Sequence, residues 1–144
     1  MTRTTSSVAA TAIALTTALA FSGCSAEPVE VDCDATKVNI TGTLISQVPT
    51  APVDKDLDVQ GTATDGNNLA IHRVLVAGVP ATNMGFNFER WSVHLPFQLI
   101  SSLARNEAGR AVVVVKAIDT CNREATISMF TLSVAQPMAE GVGR

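Results

Sequence analysis

Residues 111–119 form an almost unbroken apolar stretch, Ala-Val-Val-Val-Val-Lys-Ala-Ile-Asp. The apolar residues stand at consecutive positions, so an extended chain would be apolar on both faces over most of this length. Such a pattern is typical of a strand in the middle of a sheet, with neighbouring strands on both sides. We therefore predict that residues 111–119 are a central strand of the fold.

The segments before and after this stretch alternate polar and apolar residues, as half-buried strands do. We predict strands at 38–44, 57–63, 71–76, 86–95 and 124–134, with 86–95 forming one strand or two. A short helical candidate, 97–105, follows Pro96 and is interpreted as a single turn that crosses between sheets rather than a packed helix. Six or seven short strands in about 100 residues predict an all-β fold, an antiparallel β-sandwich.

Four strand motifs resemble, in their order and spacing, those of bacterial immunoglobulin-like and cadherin-like domains. They are Gly61-x-Ala63-x-Asp65, Val74-x-Val76-x-Gly78-Val79-x-Ala81, Trp91-Ser92-x-His94-Leu95-Pro96 and Val113-x-Val115-x-Ala117-x-Asp119. Asn122 also fits the family, whereas Cys121 stands where glycine is usual, so the turn there must differ locally. The resemblance covers residues 36–135. It implies a seven-strand immunoglobulin-like sandwich, in a class of modules that space, adhere or bind and seldom catalyse.

The first 24 residues have the organisation of an export signal. Arg3 supplies a positive charge, and residues 8–21 are apolar but, at about 14 residues, too short for a membrane span of about 20. Phe21-Ser22-Gly23-Cys24 resembles the lipobox of bacterial lipoproteins, with Phe21 where leucine is usual. The resemblance implies cleavage before Cys24, diacylglycerol on its sulfur and a fatty acyl chain such as palmitate on the new N-terminus. The alternative is an ordinary secretory signal cleaved nearby, with Cys24 incidental.

These features divide the chain into four segments. We predict a lipoprotein signal peptide at 1–23, the lipidated Cys24 and a tether at 24–35, the sandwich at 36–135 and a flexible tail at 136–144. The eight residues 25–32 reach at most about 27 Å when extended. We therefore expect the domain close to a bilayer of the bacterial envelope, in or beyond the periplasm, with the outer membrane preferred to the inner.

The three cysteines predict one disulfide bond. If Cys24 carries lipid, Cys33 and Cys121 remain, and an even number of cysteines in an exported domain favours pairing. In a seven-strand antiparallel order, the turn after the sixth strand lies at the same end as the start of the first strand. Cys33 precedes the first predicted strand and Cys121 lies in that turn. The alternative is that both are unpaired small apolar residues.

Composition excludes some classes of partner. The 144 residues include 10 basic and 13 acidic ones, for a formal net charge of −3, and only 4% are aromatic. A chain without a basic field does not attract nucleic acid, so we expect no nucleic-acid partner. The scarcity of aromatic rings argues against a sugar-stacking platform or an RNA-binding sheet.

We predict no catalytic residue and no cofactor. Catalysis of the acyl-transfer kind needs a nucleophile, a base and an orienting group within reach of one another. His72 and His94 are the only histidines, and neither stands in a known nucleophile motif. Each is interpreted as a surface or sheet residue. Two histidines without a free cysteine cannot complete a closed zinc site unless carboxylates join them.

Calcium is the better metal candidate, although no metal site is predicted. Asp54, Asp56 and Asp58 alternate along the chain, so on a strand they would share one solvated face. An EF-hand loop that began at Asp54 would need glycine at its sixth position, where this sequence has Val59. Asp65, Asn67 and Asp119 would meet at one end of the sandwich. The preferred alternative is that these are turn residues that bind their own backbone.

The expected function is that of a membrane-anchored, non-catalytic binding or structural module. The alternative is an accessory subunit of a larger secretion or transport complex, and the remote alternative is a small hydrolase. We expect two partners, the bilayer through Cys24 and an envelope protein at an open strand edge. Arg90 and Trp91 belong to residue types enriched at binding sites. A single tryptophan in this fold usually lies in the core, which is the preferred interpretation.

Overall fold

The computed structural model describes residues 33–34 and 37–136. The predicted signal peptide, Cys24, most of the tether and all but the first residue of the predicted tail lie outside these residues. The described part contains eight strands and one helix. They are β1 (Ile40–Leu44), β2 (Leu57–Asp65), β3 (Ile71–Val76), β4 (Val79–Pro80), β5 (Thr82–Asn83), β6 (Trp91–Leu95), α1 (Phe97–Ser102), β7 (Ala111–Asp119) and β8 (Glu124–Leu132).

The strands form two four-stranded sheets, each with all its neighbours antiparallel. The first sheet has the order β1-β2-β6-β5 and the second the order β4-β3-β7-β8. β4 and β5 are separated by Ala81 alone and belong to different sheets, so the chain crosses between the sheets at that residue. The prediction of an all-β antiparallel sandwich is confirmed.

The core lies between the two sheets, and alternate residues of β7 run along its whole length. Ala111, Val113, Val115 and Ala117 are fully buried, while the residues between them are half-buried on the outer face. β7 pairs with β3 on one side and β8 on the other, as a central strand should. The opposite wall of the core comes from β2 and β6, with Val59, Ala63, Val93 and Leu95.

The region between β3 and β6 differs most from the prediction. Residues 86–90 are loop rather than strand, and β6 begins only at Trp91. Asn87 and Phe88 have φ values of 51° and 61°, which a strand does not tolerate. The apolar residues at alternate positions in this loop imitate a strand in sequence. The two-residue strands β4 and β5 carry no such pattern, and Pro80 in β4 lacks the amide that an interior strand would use.

The helical candidate is a six-residue helix, shorter than the segment 97–105 that suggested it. α1 follows Pro96, a common residue at helix starts, and carries the chain from β6 in one sheet to β7 in the other. Ile100 is fully buried, so the helix also packs into the core, contrary to our interpretation of a crossing turn alone. No helix among residues 37–136 has the length and apolar character needed to cross a bilayer.

Trp91 lies in the core, as the preferred interpretation holds, and its position depends on Gly61. The indole is 1% exposed, and the two residues are direct neighbours across β2 and β6. A Cβ on Gly61 would collide with Cζ2 of Trp91 and come within 2.6 Å of the Thr43 carbonyl oxygen. The absence of a side chain at Gly61 therefore leaves room for the Trp91 ring beside β2.

We expect Gly61→Ala to lower the free energy of unfolding by about 1–3 kcal/mol, because overpacking at a rigid site forces the ring or the backbone to move. Gly85→Ala is the matched control, since the nearest atoms to its Cβ lie 3.8 Å and 3.9 Å away. Urea unfolding followed by Trp91 fluorescence measures both variants. Equal stability of the two variants would contradict the close packing of Trp91 on Gly61.

Candidate functional site

Cys33 and Cys121 form a disulfide bond at one end of the sandwich. The sulfurs are 2.05 Å apart and the Cα atoms 5.4 Å apart, across a sequence separation of 88 residues. Strand register explains the pairing, because Ile40 lies opposite Asp65 in the first sheet and Ile71 lies opposite Asp119 in the second. We call this the disulfide end. Closing so long a loop typically stabilises a domain by about 2–4 kcal/mol.

The turn that holds Cys121 is shaped by a buried ion pair. The Asp119 side chain is fully buried, and its carboxylate accepts hydrogen bonds from Arg123 Nε at 2.8 Å and from the Arg123 backbone at 2.9 Å. Asn122 has a φ of 57°, a left-handed conformation that asparagine tolerates better than most residues. These contacts fix the four residues between β7 and β8, and with them the direction of Cys121.

A second aspartate faces the interior at the same end. Asp65 is 8% exposed, and its Oδ1 accepts a hydrogen bond of 2.7 Å from the Asn67 backbone. The Asn67 side chain in turn donates to the Lys37 carbonyl at 2.6 Å. A Cβ on Gly66 would collide with the Asn39 side chain, which would have to move to admit one. Asp65 thus binds its own turn, as the preferred alternative to calcium holds.

Two of the three candidate calcium ligands at this end have side-chain partners within the protein. Asp119 is paired with Arg123, and the Asn67 amide is bonded to Lys37. Within the part of the chain that the structure describes, no group of three or more His, Cys, Asp or Glu side chains is arranged to hold a metal ion.

His94 is held between two carboxylates on the outer face of the first sheet. Nδ1 lies 2.8 Å from Asp58 Oδ1, directly across from it in the β2–β6 pair, and Nε2 lies 3.1 Å from Asp56 Oδ2. Hydrogen bonds to Asp58 and then to Asp56 raise the pKa of His94 above its ordinary value of 6.5. Two hydrogen bonds lower the pKa of Asp56. The one that the Phe97 backbone donates has the larger effect, and the one with His94 has the smaller.

We call His94, Asp56 and Asp58 the imidazole clamp. The sequence analysis placed the aspartates on one solvated face but did not connect them with His94. The signal that could have revealed the clamp is the pairing of β2 with β6 in the register that sets Asp58 opposite His94. Asp56 also accepts a 2.8 Å hydrogen bond from Phe97 at the start of α1, so the clamp attaches the helix to the sheet.

The two histidines do not form a catalytic arrangement with a nucleophile. Both ring nitrogens of His94 are already bonded to carboxylates. His72 is exposed on β3. Among residues 37–136, no serine, threonine or cysteine side chain hydrogen-bonds to either imidazole.

The loop between β5 and β6 exposes two large apolar side chains, of which the sequence analysis assigned Phe86 to a strand. Met84 is 62% exposed and Phe86 is 74% exposed. The loop is nonetheless ordered by hydrogen bonds, since Asn83 Oδ1 accepts from the backbone of Gly85 at 3.1 Å and of Phe88 at 3.2 Å. The Phe88 carbonyl accepts a 3.1 Å bond from Ala63, which extends the pairing along β2.

The strand edges differ in length. β4 and β5 are edge strands of two residues each, which leaves few unpaired backbone groups. β8 is a nine-residue edge strand, and Met129 on it is 66% exposed. Beyond the end of β8, a parallel bridge joins Val53 to Val134, through a 2.8 Å hydrogen bond to the Ser133 carbonyl and a 2.9 Å bond from Ala135. β8 itself is the longest edge among the described strands.

A cavity of about 740 Å³ lies at the end of the sandwich opposite the disulfide end, between α1 and the residues that follow β8. Asp54 and Arg105 both line it, so charges of opposite sign are present there. Neither residue is buried, and no buried side-chain atom without a hydrogen-bond partner belongs to its lining. The cavity therefore gives no chemical indication of a ligand.

The strand order defines the class of domain. One sheet holds strands in the order first, second, sixth and fifth, and the other holds third, seventh and eighth with the short fourth strand at its edge. If the short strands β4 and β5 are counted together as a fourth strand, then β1, β2 and β6 are the first, second and fifth main strands. They face β3, β7 and β8, the third, sixth and seventh, as in the immunoglobulin-like β-sandwich. The expected immunoglobulin-like fold is thereby confirmed.

Comparison with solved structures gives a distant likeness. The chain is similar to fibronectin(III)-like modules of CbhA from Clostridium thermocellum, with a TM-score of 0.47 and 19% sequence identity. The match covers 75% of this chain and 53% of that one, so the chain spans about half the length of the solved structure. Comparison with protein-family models gives no match. Comparison with curated proteins gives none either.

The imidazole clamp predicts a pH-dependent contribution to stability. Because the folded pKa of His94 is raised, this contribution is fully present below the unfolded pKa near 6.5 and is lost as pH rises through the folded pKa. We expect NMR titration of the ring protons to give a midpoint above 6.5. In Asp58→Asn the midpoint should fall, because the strongest of the two hydrogen bonds to the imidazolium is weakened.

Asp54→Asn is the matched control, since Asp54 belongs to the same row of aspartates but lies outside the clamp. Its His94 midpoint should equal that of the wild type. A wild-type midpoint at or below the ordinary value, or equal midpoints in the two variants, would contradict the clamp.

Proposed function

We propose that this protein is a bacterial envelope lipoprotein whose immunoglobulin-like domain is a non-catalytic binding module. The observation that carries the proposal is the Cys33–Cys121 disulfide, because such bonds form and persist in oxidising compartments outside the cytosol. It agrees with the export signal and the lipobox-like Phe21-Ser22-Gly23-Cys24 in the sequence. Acyl chains on Cys24 would attach the protein to a bilayer, and two or more chains give a stable anchor.

The disulfide also supports an orientation for the anchored domain. Cys33 is nine residues after Cys24, and the bond to Cys121 ties this part of the chain to the disulfide end. An anchor at Cys24 would therefore hold that end towards the membrane. The imidazole clamp and α1 at the opposite end would point away from it, into the periplasm or beyond.

A non-catalytic role is supported by the state of the titratable residues. The only clamped histidine has both ring nitrogens engaged, so it has no free position for abstracting a proton from a nucleophile. The two interior aspartates at the disulfide end bind their own turns. What the domain offers a partner is surface and strand edge.

β8 is the edge best suited to binding a protein partner. It is long, it carries the exposed Met129, and an added strand would gain a row of backbone hydrogen bonds. Glu124 is the one charged side chain on β8, and its carboxylate is paired with Lys116 Nζ at 2.7 Å, so charge on the strand does little to repel a partner strand. The partner in this proposal is an envelope protein, and the module acts alone or as an accessory subunit of a larger assembly.

The anchor is tested by Cys24→Ser. We expect labelled palmitate to be incorporated into the wild-type protein and lost from the variant, because the sulfur that accepts diacylglycerol is missing. The variant should also remain uncleaved, since the processing enzyme acts on the lipid-modified cysteine. Thr5→Ser, within the segment assigned to the signal peptide, is the control for normal export. Normal maturation of Cys24→Ser together with an unlabelled wild type would refute the anchor.

The binding edge is tested by photocrosslinking in the intact envelope. A photoreactive amino acid replaces Met129 on β8 in one variant and Thr120, exposed in the turn at the disulfide end, in another. We expect a discrete protein adduct from position 129 that exceeds the adduct from position 120. Adducts from position 120 alone, or none above background at either position, would refute the edge as the binding surface.

A further inference from the structure

A pocket of about 290 Å³ lies at the disulfide end, between the turn after β2 and the loop between β5 and β6. Asp65, Asn68 and Leu69 line it from the turn, and Phe86, Asn87 and Glu89 line it from the loop. The proposed function uses none of these residues.

Hydrogen bonds hold both walls of the pocket in place. In the turn, the Asn68 amide donates to the Asp65 carbonyl at 3.1 Å, and Asn68 has a φ of 59°. In the loop, Phe88 is bonded on both sides, its amide to Asn83 Oδ1 and its carbonyl to the Ala63 amide. The pocket is therefore formed before any ligand arrives, which lowers the conformational cost of binding.

Asp65 contributes a carboxylate oxygen that no described residue satisfies. Its Oδ1 accepts the hydrogen bond from Asn67, but its Oδ2 is buried and has no hydrogen-bond partner among the described residues. More than nine-tenths of the residue is buried. A buried acceptor without a donor is costly, and the cost is larger for a charged group. Oδ2 has almost no accessible surface, so the carboxylate must turn slightly towards the pocket for a ligand to reach it. A ligand that then brought an N–H donor to Oδ2 would remove this cost.

The other lining residues favour a positively charged ligand. Glu89 adds a second carboxylate, and no lysine, arginine or histidine is among the residues that line the pocket. Phe86 lines the pocket and is 74% exposed, so a cation can reach its side chain. Cations are attracted to aromatic faces by the ring quadrupole, by about 0.5–1 kcal/mol at exposed sites.

We propose that this pocket binds an organic ammonium or guanidinium group, such as the end of a lysine or arginine side chain of a partner protein. The proposal deepens the function proposed above and rests on it for the identity of the partner. The N–H groups of the cation donate to Asp65 Oδ2, Glu89 supplies the second negative charge, and the ring of Phe86 covers the alkyl part or the charge.

Size and donor chemistry both favour an organic cation over a metal ion. Calcium takes six to eight oxygen ligands in a compact shell, and no described cluster of acidic or histidine side chains is arranged to hold a metal. The pocket volume of about 290 Å³ is also many times the roughly 30 Å³ that one water molecule occupies. An alkyl chain that ends in N–H donors fills such a space, whereas one ion does not.

The test is an NMR titration of the full-length protein at constant ionic strength. The probes are n-butylammonium chloride, propylguanidinium chloride, uncharged n-butanol and calcium chloride. We expect saturable shifts of the amides of residues 65–71 and 86–89 with at least one of the two organic cations. n-Butanol at the same concentrations should produce none, because it lacks the charge.

Three variants assign the binding to the named carboxylates. We expect Asp65→Asn to weaken binding about tenfold or more and Glu89→Gln to weaken it severalfold, because each removes one negative charge. Glu107→Gln, an exposed acid in the turn before β7, is the matched control and should bind as the wild type does. Glu89 is exposed, so Glu89→Gln keeps the proposal testable even if Asp65→Asn fails to fold.

The outcomes are separable from those of the proposed function. No saturable shift up to about 100 mM of either organic cation would overturn the pocket, and so would equal binding by Glu89→Gln and Glu107→Gln. Saturable shifts with calcium alone would overturn it in favour of a metal site. The crosslink from position 129 is read independently, so its presence beside a negative titration refutes the pocket and leaves the binding edge intact.

Discussion

The burial of Asp119 is the constraint on which the disulfide end depends. β7 places every second residue in the core, and this inward series ends with a carboxylate that is fully buried. A buried charge without a partner is strongly destabilising, so the chain must supply a cation within reach. Arg123 meets this need only if the chain turns back within four residues, and that turn directs Cys121 towards Cys33. The position where the chain enters the domain therefore follows from the neutralisation of one aspartate.

The two ends of the sandwich are closed by different means. At the far end, α1 inserts the apolar Ile100 into the core, and Asp56 ties the first residue of the helix to the imidazole clamp. At the disulfide end, the interior is closed by polar turns, in which two aspartates point inward. One of them, Asp119, has charged and backbone donors for both oxygens, whereas Asp65 has a donor for only one. The unequal satisfaction of these two carboxylates is what separates a structural turn from a candidate binding pocket.

Local sequence patterns predicted β2, β3, β7 and β8 to within a few residues. They did so because burial of one or both faces of a strand sets the spacing of its apolar residues. The Cys33–Cys121 pair followed from the number of cysteines together with strand direction. The loop 84–90 could not be predicted, since Phe86 and Phe88 alternate like strand residues while hydrogen bonds from Asn83 Oδ1 fold them into a loop. The imidazole clamp was missed for a related reason, as Asp58 and His94 are 36 residues apart and meet only through strand register.

The binding edge and the pocket differ in where a partner would approach the domain. β8 is the outer strand of the second sheet, whereas the pocket lies at the disulfide end, between the end of β2, the loop that precedes β6 and Ile71 of β3. A partner strand paired with β8 would run along one side of the domain, and its backbone would carry most of the contact. A lysine or arginine in the pocket would instead approach the disulfide end, beside the turn that joins β2 to β3. A partner that used both places would contact the side of the domain and its disulfide end together, which would bring that partner next to the proposed membrane anchor.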